Sequence, residues 1–248
     1  MKNLLLANLC RLLRGMSIYI TIFLLLALST LIVTTEATFT GSRAYYGAGT
    51  LQHIIIGMSN MAYLMLALAI FVSGAAFTTR AIQNEIAFGI SRTKIYFSHL
   101  ALSLILSVIF IVAFVAWAVI LATILRGFGY VPQGFWFEKI GILSIQILLL
   151  LALNALATFL IFTIKRTSIV MGVYFAILIV PSLLIEMLSF FNEEIVRLRT
   201  FDIAFNLRLA AQLSTLDSSQ IIQILGLGIG AIVVTTVVGV TWFKWVDI

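Results

Sequence analysis

The sequence predicts an all-α membrane protein, a single transmembrane domain over residues 1–248 built as a bundle of six spanning helices. Only 10% of the 248 residues are charged and the mean hydropathy is +1.19, whereas soluble domains carry about 25% charged residues. A spanning helix needs about 20 mainly apolar residues. Six stretches meet that requirement: residues 16–33, 54–78, 95–125, 140–164, 167–185 and 218–243. Alternating ten-residue segments are absent from the sequence, so helices are favoured over strands.

The distribution of Lys and Arg sets the expected orientation of the bundle. With the N-terminus inside, the inner segments hold nine basic and two acidic residues, and the outer segments hold six basic and seven acidic residues. The positive-inside rule therefore places both termini in the cytoplasm. Because topology accounts for the net charge of +6, that charge gives no reason to expect a nucleic-acid partner.

Residues 3–14 precede the first span and form an amphipathic pattern. At 100° per residue, Arg11 and Arg14 fall on one side with two asparagines, and most of the leucines fall on the other. This pattern is typical of a helix that lies in the membrane interface with its cationic face toward anionic lipid headgroups. The alternative is that these residues are the first turns of the first span.

The outer segment 189–217, before the last span, is too long for a simple turn. Glu193 and Arg197 lie four residues apart and can pair across a helical turn. We expect an amphipathic helix or helix pair that rests on the outer leaflet or enters it; a cap on the bundle is the alternative. Apolar side chains at three- and four-residue spacing predict one helical stripe: Ile195, Leu198, Phe201, Phe205, Leu209 and Leu213.

The inner loop 79–97, between the second and third spans, has a helix-compatible first half. Gly89 is placed to end that helix in a left-handed cap, and Ser91 can cap a new helix that runs into the third span. Ile86 and Phe88 cannot both contact lipid if the short helix projects from the membrane, which indicates a protein partner. The alternative is an ordinary positive inner loop that only fixes topology.

The same loop carries a pattern, E-x-x-x-G-x-S-R-x-x-I-Y-x-S. It is formed by Glu85, Gly89, Ser91, Arg92, Ile95, Tyr96 and Ser98. The pattern, the six spans, the interfacial N-terminal helix, the amphipathic outer segment and the tail W-F-K-W-V-D-I at 242–248 together resemble the permease subunits of ABC exporters of the ABC-type-2 class. Size and architecture are similar to those of small bacterial exporters of peptides, lantibiotics and toxins.

This resemblance implies a mechanism and partners. The loop would be a coupling helix seated in a separate ATPase subunit, present in two copies, which would bind ATP and Mg²⁺. The chain itself would be a non-catalytic permease of the bacterial plasma membrane, paired with an identical or sister permease. Its cargo would be amphipathic peptides or other membrane-partitioning compounds, for toxin export or immunity. The residues that the resemblance carries over as ATPase contacts are Gln83, Glu85, Phe88, Gly89, Ser91 and Arg92.

Several polar residues fall at or near membrane depth and could line a substrate path: Asn60, Ser73, Gln146, Asn154, Thr158 and Glu186. The alternative is that they form hydrogen bonds between helices, and that Glu186 lies at the interface. The sequence offers no P-loop, no cluster of metal-binding residues and no catalytic pair.

Two other functions remain open from the sequence. An ATP-independent secondary transporter or channel would require a coupling-ion carboxylate or broken helices at the midplane, and the sequence indicates neither. A membrane enzyme, or an immunity protein that acts by binding its target without transport, is the third alternative.

Overall fold

In the computed structural model, every regular element of the described residues, 2–39, 46–79, 81–191, 193–212 and 216–245, is a helix. A sixth span is reached when Asn3–Arg14 and Tyr19–Leu31, which meet at 66°, are counted as one bent span. Five helices are long and apolar enough to cross a membrane without that addition: Gly47–Phe77, Arg92–Arg126, Phe135–Ile164, Thr167–Ser189 and Ser218–Trp245. The described part of the chain is therefore an all-α, multi-pass membrane protein.

The helices follow the order of the predicted spans. Eleven α-helices occur in the described residues: α1 (Lys2–Arg14), α2 (Met16–Phe39), α3 (Gly47–Gly57), α4 (Met61–Ala69), α5 (Ala75–Thr78), α6 (Ala81–Ala87), α7 (Arg92–Arg126), α8 (Phe135–Ile164), α9 (Thr167–Ser189), α10 (Ile203–Ala210) and α11 (Ser218–Trp245). α3 begins earlier than the predicted span 54–78. Its first N–H groups, those of Gly47 and Ala48, bond to the carbonyl oxygens of Gly127 and Phe128 just beyond α7, each at 3.0 Å.

α8 is the central helix of the bundle. Within the most apolar stretch of each helix, 61% of the stretch is buried inside the protein in α8, but only 11% in α11. α8 packs against α4, α7, α9, α10 and α11, whereas α2 packs chiefly on α7. Trp117 of α7 donates its indole N–H to Thr30 of α2 at 3.1 Å. Gln146, Asn154 and Thr158 of α8 are therefore enclosed by protein, while the outward faces of α2 and α11 are those that a bilayer would cover.

The second span, Gly47–Phe77, is not a uniform α-helix. A 3₁₀ turn, Met58–Asn60, separates α3 from α4, and a π-helical turn, Ile70–Gly74, separates α4 from α5. No proline occurs in this span, so a missing backbone N–H does not cause the irregularity. Short π turns within α-helices are frequent at functional sites, and no sequence pattern predicted this one.

The outer segment forms a helix pair, as predicted. Its first half, Glu193–Phe201, is a 3₁₀-helix, in which three residues complete a turn. Arg197 accordingly pairs with Glu194 at 3.2 Å, three residues before it and not four. The side chain of Glu193, the predicted partner, lies outside the described ones.

The predicted apolar stripe does not pack against the bundle along its whole length, and its contact with the outer leaflet stays a prediction. Leu198 and Phe201 are 51% and 70% exposed, and Leu213 lies outside the described residues. The buried residues of α10 are Asn206, Leu207 and Ala210. In the 3₁₀ half, Ile195, Leu198 and Phe201 are spaced by three residues and therefore share one face, but that face is not the one that packs against the bundle.

Candidate functional site

The loop between the second and third spans contains a short helix followed by a sharp turn. Gly89 has φ +79°, a left-handed conformation that favours glycine. Gly89 N–H bonds to the carbonyl of Ile86 at 2.9 Å, and Ile90 N–H bonds to that of Glu85 at 3.1 Å. These are the two hydrogen bonds of a Schellman motif, so the predicted left-handed helix end is confirmed. Ser91 holds the N-cap position of α7, but its side chain makes no capping hydrogen bond, so that part of the prediction is wrong.

One face of α6 is buried in an aromatic cluster at this end of the bundle. Ile82 is fully buried, and Ile86 packs against the same cluster. The rings of Phe162 and Phe243 meet edge to face with centroids 4.9 Å apart. α6 is therefore attached to the bundle and does not project freely from it. The aromatic cluster takes residues from α5, α6, α7, α8 and α11: Ala76, Ile82, Ile95, Tyr96, Leu100, Ala155, Phe162 and Phe243.

Glu85 points into the protein. Its side chain is only 14% exposed, with Oε1 3.9 Å from Arg11 Nη1 of α1. Burial raises the pKa of the Glu85 carboxyl, and the positive charge of Arg11 opposes that rise. Its Oε2 has no hydrogen-bond partner among the described residues. A second link, from Asn8 Nδ2 to Ser98 Oγ at 3.2 Å, joins α1 to the start of α7, so α1 is held from two sides.

Arg92 also bonds within the chain. Its Nη1 donates to the carbonyl oxygens of Phe243 at 3.4 Å and Lys244 at 3.2 Å. These carbonyls belong to the last turn of α11, where helix carbonyls lack intrahelical partners and the helix dipole is negative. Arg92 therefore anchors the end of α11 to the start of α7.

The other four predicted docking residues are accessible, and we call them the α6 surface: Gln83, Phe88, Gly89 and Ser91. Phe88 is 86% exposed. Asn84 and Lys94 of the same loop are exposed as well and were not predicted. Their exposure depends on which face of α6 packs against the bundle, and no local sequence pattern predicts that face.

The polar residues predicted in the spans lie in different surroundings. Asn154 of α8 is fully buried, and both ends of its carboxamide are bonded. Its Oδ1 accepts from Ser103 Oγ at 2.7 Å, and its Nδ2 donates to Ser107 Oγ at 2.8 Å and to the Met65 carbonyl at 3.3 Å. Thr158 donates to the backbone carbonyl of Asn154 at 3.0 Å. Asn154 thus joins α4, α7 and α8 by hydrogen bonds between helices.

Gln146 and Tyr174 join the irregular second span to its neighbours. Gln146 Nε2 donates to the carbonyl of Ile55 at 2.9 Å and to that of Leu207 at 3.2 Å. Tyr174 of α9 donates its hydroxyl to the carbonyl of Ala62 at 2.8 Å. Side chains from α8 and α9 therefore satisfy carbonyls on both sides of the 3₁₀ turn, which stabilises the break within the membrane.

Of the predicted path residues, Asn60 is the one that lines an open groove. The groove has a volume of about 400 Å³ and lies between α2 and the second span. Ser73 is fully buried in the π turn, and its hydroxyl has no hydrogen-bond partner among the described residues. Glu186 is exposed near the end of α9. Of these three residues, Asn60 therefore lines the groove, Ser73 is enclosed by the protein and Glu186 is exposed.

Within the described part of the chain, no three His, Cys, Asp or Glu side chains are grouped so that they could hold a metal ion. The single cysteine, Cys10, is exposed on α1. No family model matches the chain, and no curated protein matches its sequence. The function is therefore inferred from the geometry of the loop and the spans.

Proposed function

We propose that this chain is the transmembrane subunit of an ATP-driven exporter of the ABC-type-2 class, and that α6 is the coupling helix that docks into a separate ATPase subunit. The observation that carries the proposal is the exposure of Phe88 on a fixed turn. Phe88 is 86% exposed in a loop outside the spans, and the polar Gln83 and Ser91 of the same loop are exposed too. Aromatic side chains are enriched in protein interfaces, and the two backbone hydrogen bonds of the turn at Gly89 hold Phe88 in a fixed position for such a contact.

The attachment of α6 supports the proposal because it connects the exposed turn to the spans. Ile82 lies in the aromatic cluster with Phe162 of α8 and Phe243 of α11, and Glu85 faces α1. A displacement of α6 by a partner would move the ends of these helices together, because packed interiors do not deform continuously. Two ATPase subunits would bind ATP and Mg²⁺, and the permease would pair with an identical or sister chain.

We also propose the bacterial plasma membrane as the location, with both termini cytoplasmic. The excess of Lys and Arg at the end that bears α6 supports this orientation. The cargo would be amphipathic peptides or other membrane-partitioning compounds, for toxin export or immunity. The scarcity of charged residues in the spans supports a cargo that enters from the lipid.

Copurification tests the ATPase partner. The tagged chain is coexpressed with a P-loop ATPase encoded beside it, and the ATPase retained after membrane solubilisation is measured. Phe88→Asp should reduce retention at least about tenfold, because the new carboxylate would have to be desolvated in the docking cleft. Phe190, at the opposite end of the bundle, is also 86% exposed, so Phe190→Asp is a matched control that should retain the ATPase. Full retention with Phe88→Asp, or equal loss in both variants, would contradict the proposal.

The irregular second span favours one alternative, an ATP-independent secondary transporter or channel, because such proteins use broken helices at the midplane. That alternative predicts solute movement by the purified chain alone in liposomes under an ion gradient. The exporter predicts movement only when the ATPase and ATP are supplied.

A further inference from the structure

A groove runs along the lipid-facing side of the second span, between it and α2. Both helices contact α7, and Phe114 of α7 lines the groove between them. Leu28 and Leu31 of α2 form the opposite wall. The volume, about 400 Å³, lies in the range of small-molecule sites, which are mostly apolar with a few polar groups.

Asn60 distinguishes this groove from an ordinary lipid-facing surface. Its side chain is exposed, and it makes no hydrogen bond to any of the described residues. The apolar stretch of this span covers residues 54–78, so Asn60 lies about 9 Å from its middle at a rise of about 1.5 Å per residue, within hydrocarbon about 30 Å thick. Bilayer hydrocarbon offers neither donor nor acceptor, so a carboxamide at this depth is unfavourable unless a polar group pairs with it.

The groove has room for such a group. Gly57 precedes Asn60 by three residues and lines the same groove, and a Cβ at Gly57 would meet no atom within 4 Å. Tyr63 follows Asn60 by three residues, is 44% exposed and also lines the groove. One face of the second span therefore presents a gap, a carboxamide and a phenol in succession.

We propose that this groove binds an uncharged, membrane-partitioned chain that carries an amide group, with the carboxamide of Asn60 as its hydrogen-bond partner within the hydrocarbon layer. An amide both donates and accepts, as the Asn60 side chain does, so the two groups can pair reciprocally. Lipid acyl chains carry no such group within the hydrocarbon, and a charged group is costly there. The peptide-like ligand class rests on the proposed export of amphipathic peptides, whereas binding itself requires neither an ATPase nor ATP.

Photolabelling of the purified full chain in lipid nanodiscs tests the proposal. The probe is an N-alkyl fatty amide whose amide lies midway between two alkyl tails, one of which carries a diazirine. The comparison probe is the alkane of the same length with the same diazirine. The amide probe should label α2 and α4 saturably, and unlabelled amide should displace it. The alkane should label all lipid-facing helices without saturation.

Three variants identify the residues responsible. Asn60→Leu should weaken saturable labelling by the amide probe about sevenfold, the factor expected for the two hydrogen bonds of a reciprocal amide pair within a membrane. Gly57→Leu fills the gap and should abolish saturable labelling. Gln52→Leu removes another exposed amide of the same span that does not line the groove, and should label as the unmodified chain does. Unchanged elution in size-exclusion chromatography verifies that each variant is folded.

Several results would overturn the proposal. They are amide labelling that does not saturate, equal saturable labelling in Asn60→Leu and Gln52→Leu, and cross-links showing that a second copy of the chain fills the groove. The proposed function fails by a different result, the absence of an ATPase partner, which this experiment does not involve.

Discussion

Arg92 is joined to Lys244 by a hydrogen bond of 3.2 Å, from the guanidinium group to the backbone carbonyl at the end of α11. A second bond reaches the carbonyl of Phe243, whose ring packs against Phe162 in the aromatic cluster. The start of α7 and the end of α11 are thus fixed to each other, although they lie more than 150 positions apart in the chain.

Replacing Arg92 with Gln should destabilise the protein by about 1–2 kcal/mol, because it removes a charged donor from the negative end of α11. Thermal unfolding in detergent should show a lower Tm. Lys94→Gln removes an exposed charge from the same turn of α7 and should leave Tm nearly unchanged. Equal Tm values for the two variants would show that Arg92 does not anchor α11.

Replacing Asn154 with Leu should destabilise the protein by about 2 kcal/mol. The variant leaves three groups without their partner, and hydrogen bonds between membrane helices average about 0.6 kcal/mol each. Ser144→Ala is the control, since the Ser144 hydroxyl bonds to the Ile140 carbonyl of its own helix. Unfolding by titration with sodium dodecyl sulfate measures both. A loss for Asn154→Leu no larger than that for Ser144→Ala would refute the role of Asn154.

The carboxyl of Glu85 should make stability depend on pH. Burial raises the pKa of Glu85 above its ordinary value near 4.5, so the folded chain binds a proton more readily than the unfolded chain. This contribution to stability is complete below the pKa of the unfolded state and is lost as pH rises through the raised pKa of the folded state. Glu85→Gln should remove this part of the pH dependence of Tm.

The exposed Glu194 provides the control for that pH profile. Its side chain is 68% exposed in the pair with Arg197, so Glu194→Gln should leave the profile close to that of the unmodified chain. If Glu85→Gln and the unmodified chain gave the same profile, the carboxyl of Glu85 would not be the titrating group.

Gly239 of α11 lies directly against the ring of Tyr96, which is fully buried. A Cβ at residue 239 would come within 2.6 Å of Tyr96 Cζ, so Gly239→Ala should destabilise the protein by about 1–3 kcal/mol through overpacking. Gly226→Ala is the matched control in the same helix, because a Cβ there meets no atom within 4 Å. It should be neutral or stabilise by up to about 1 kcal/mol. Similar Tm changes in the two variants would refute the close contact.

The helical class and the approximate positions of the spans could be predicted because the length of an apolar stretch is a local property. The boundaries were less accurate, since a helix continues past its apolar part until the backbone turns. α7 begins at Arg92 and α8 at Phe135, each before its predicted apolar stretch. Gly134, with φ +84°, marks the turn that precedes α8. The left-handed end at Gly89 was predictable for the same reason, because it depends on adjacent residues alone.

The surroundings of the loop charges could not be predicted, because they depend on residues distant in the chain. Glu85 faces Arg11, and Arg92 bonds to Lys244. From the local sequence alone, both side chains are predicted to be exposed charges that contact a partner. The 3₁₀ turn of the second span is similarly non-local. Its neighbouring carbonyls are satisfied by Gln146 of α8 and Tyr174 of α9.

The π turn Ile70–Gly74 contains more residues per helical turn than an α-helix does. Deletion of a single residue there would restore a regular helix and rotate α5 by about 100° about the axis of α4. Because only two positions separate α5 from α6 in the sequence, we expect the ring of Phe88 then to point in a different direction around the bundle. One surplus residue inside the membrane therefore fixes the direction in which the loop leaves it.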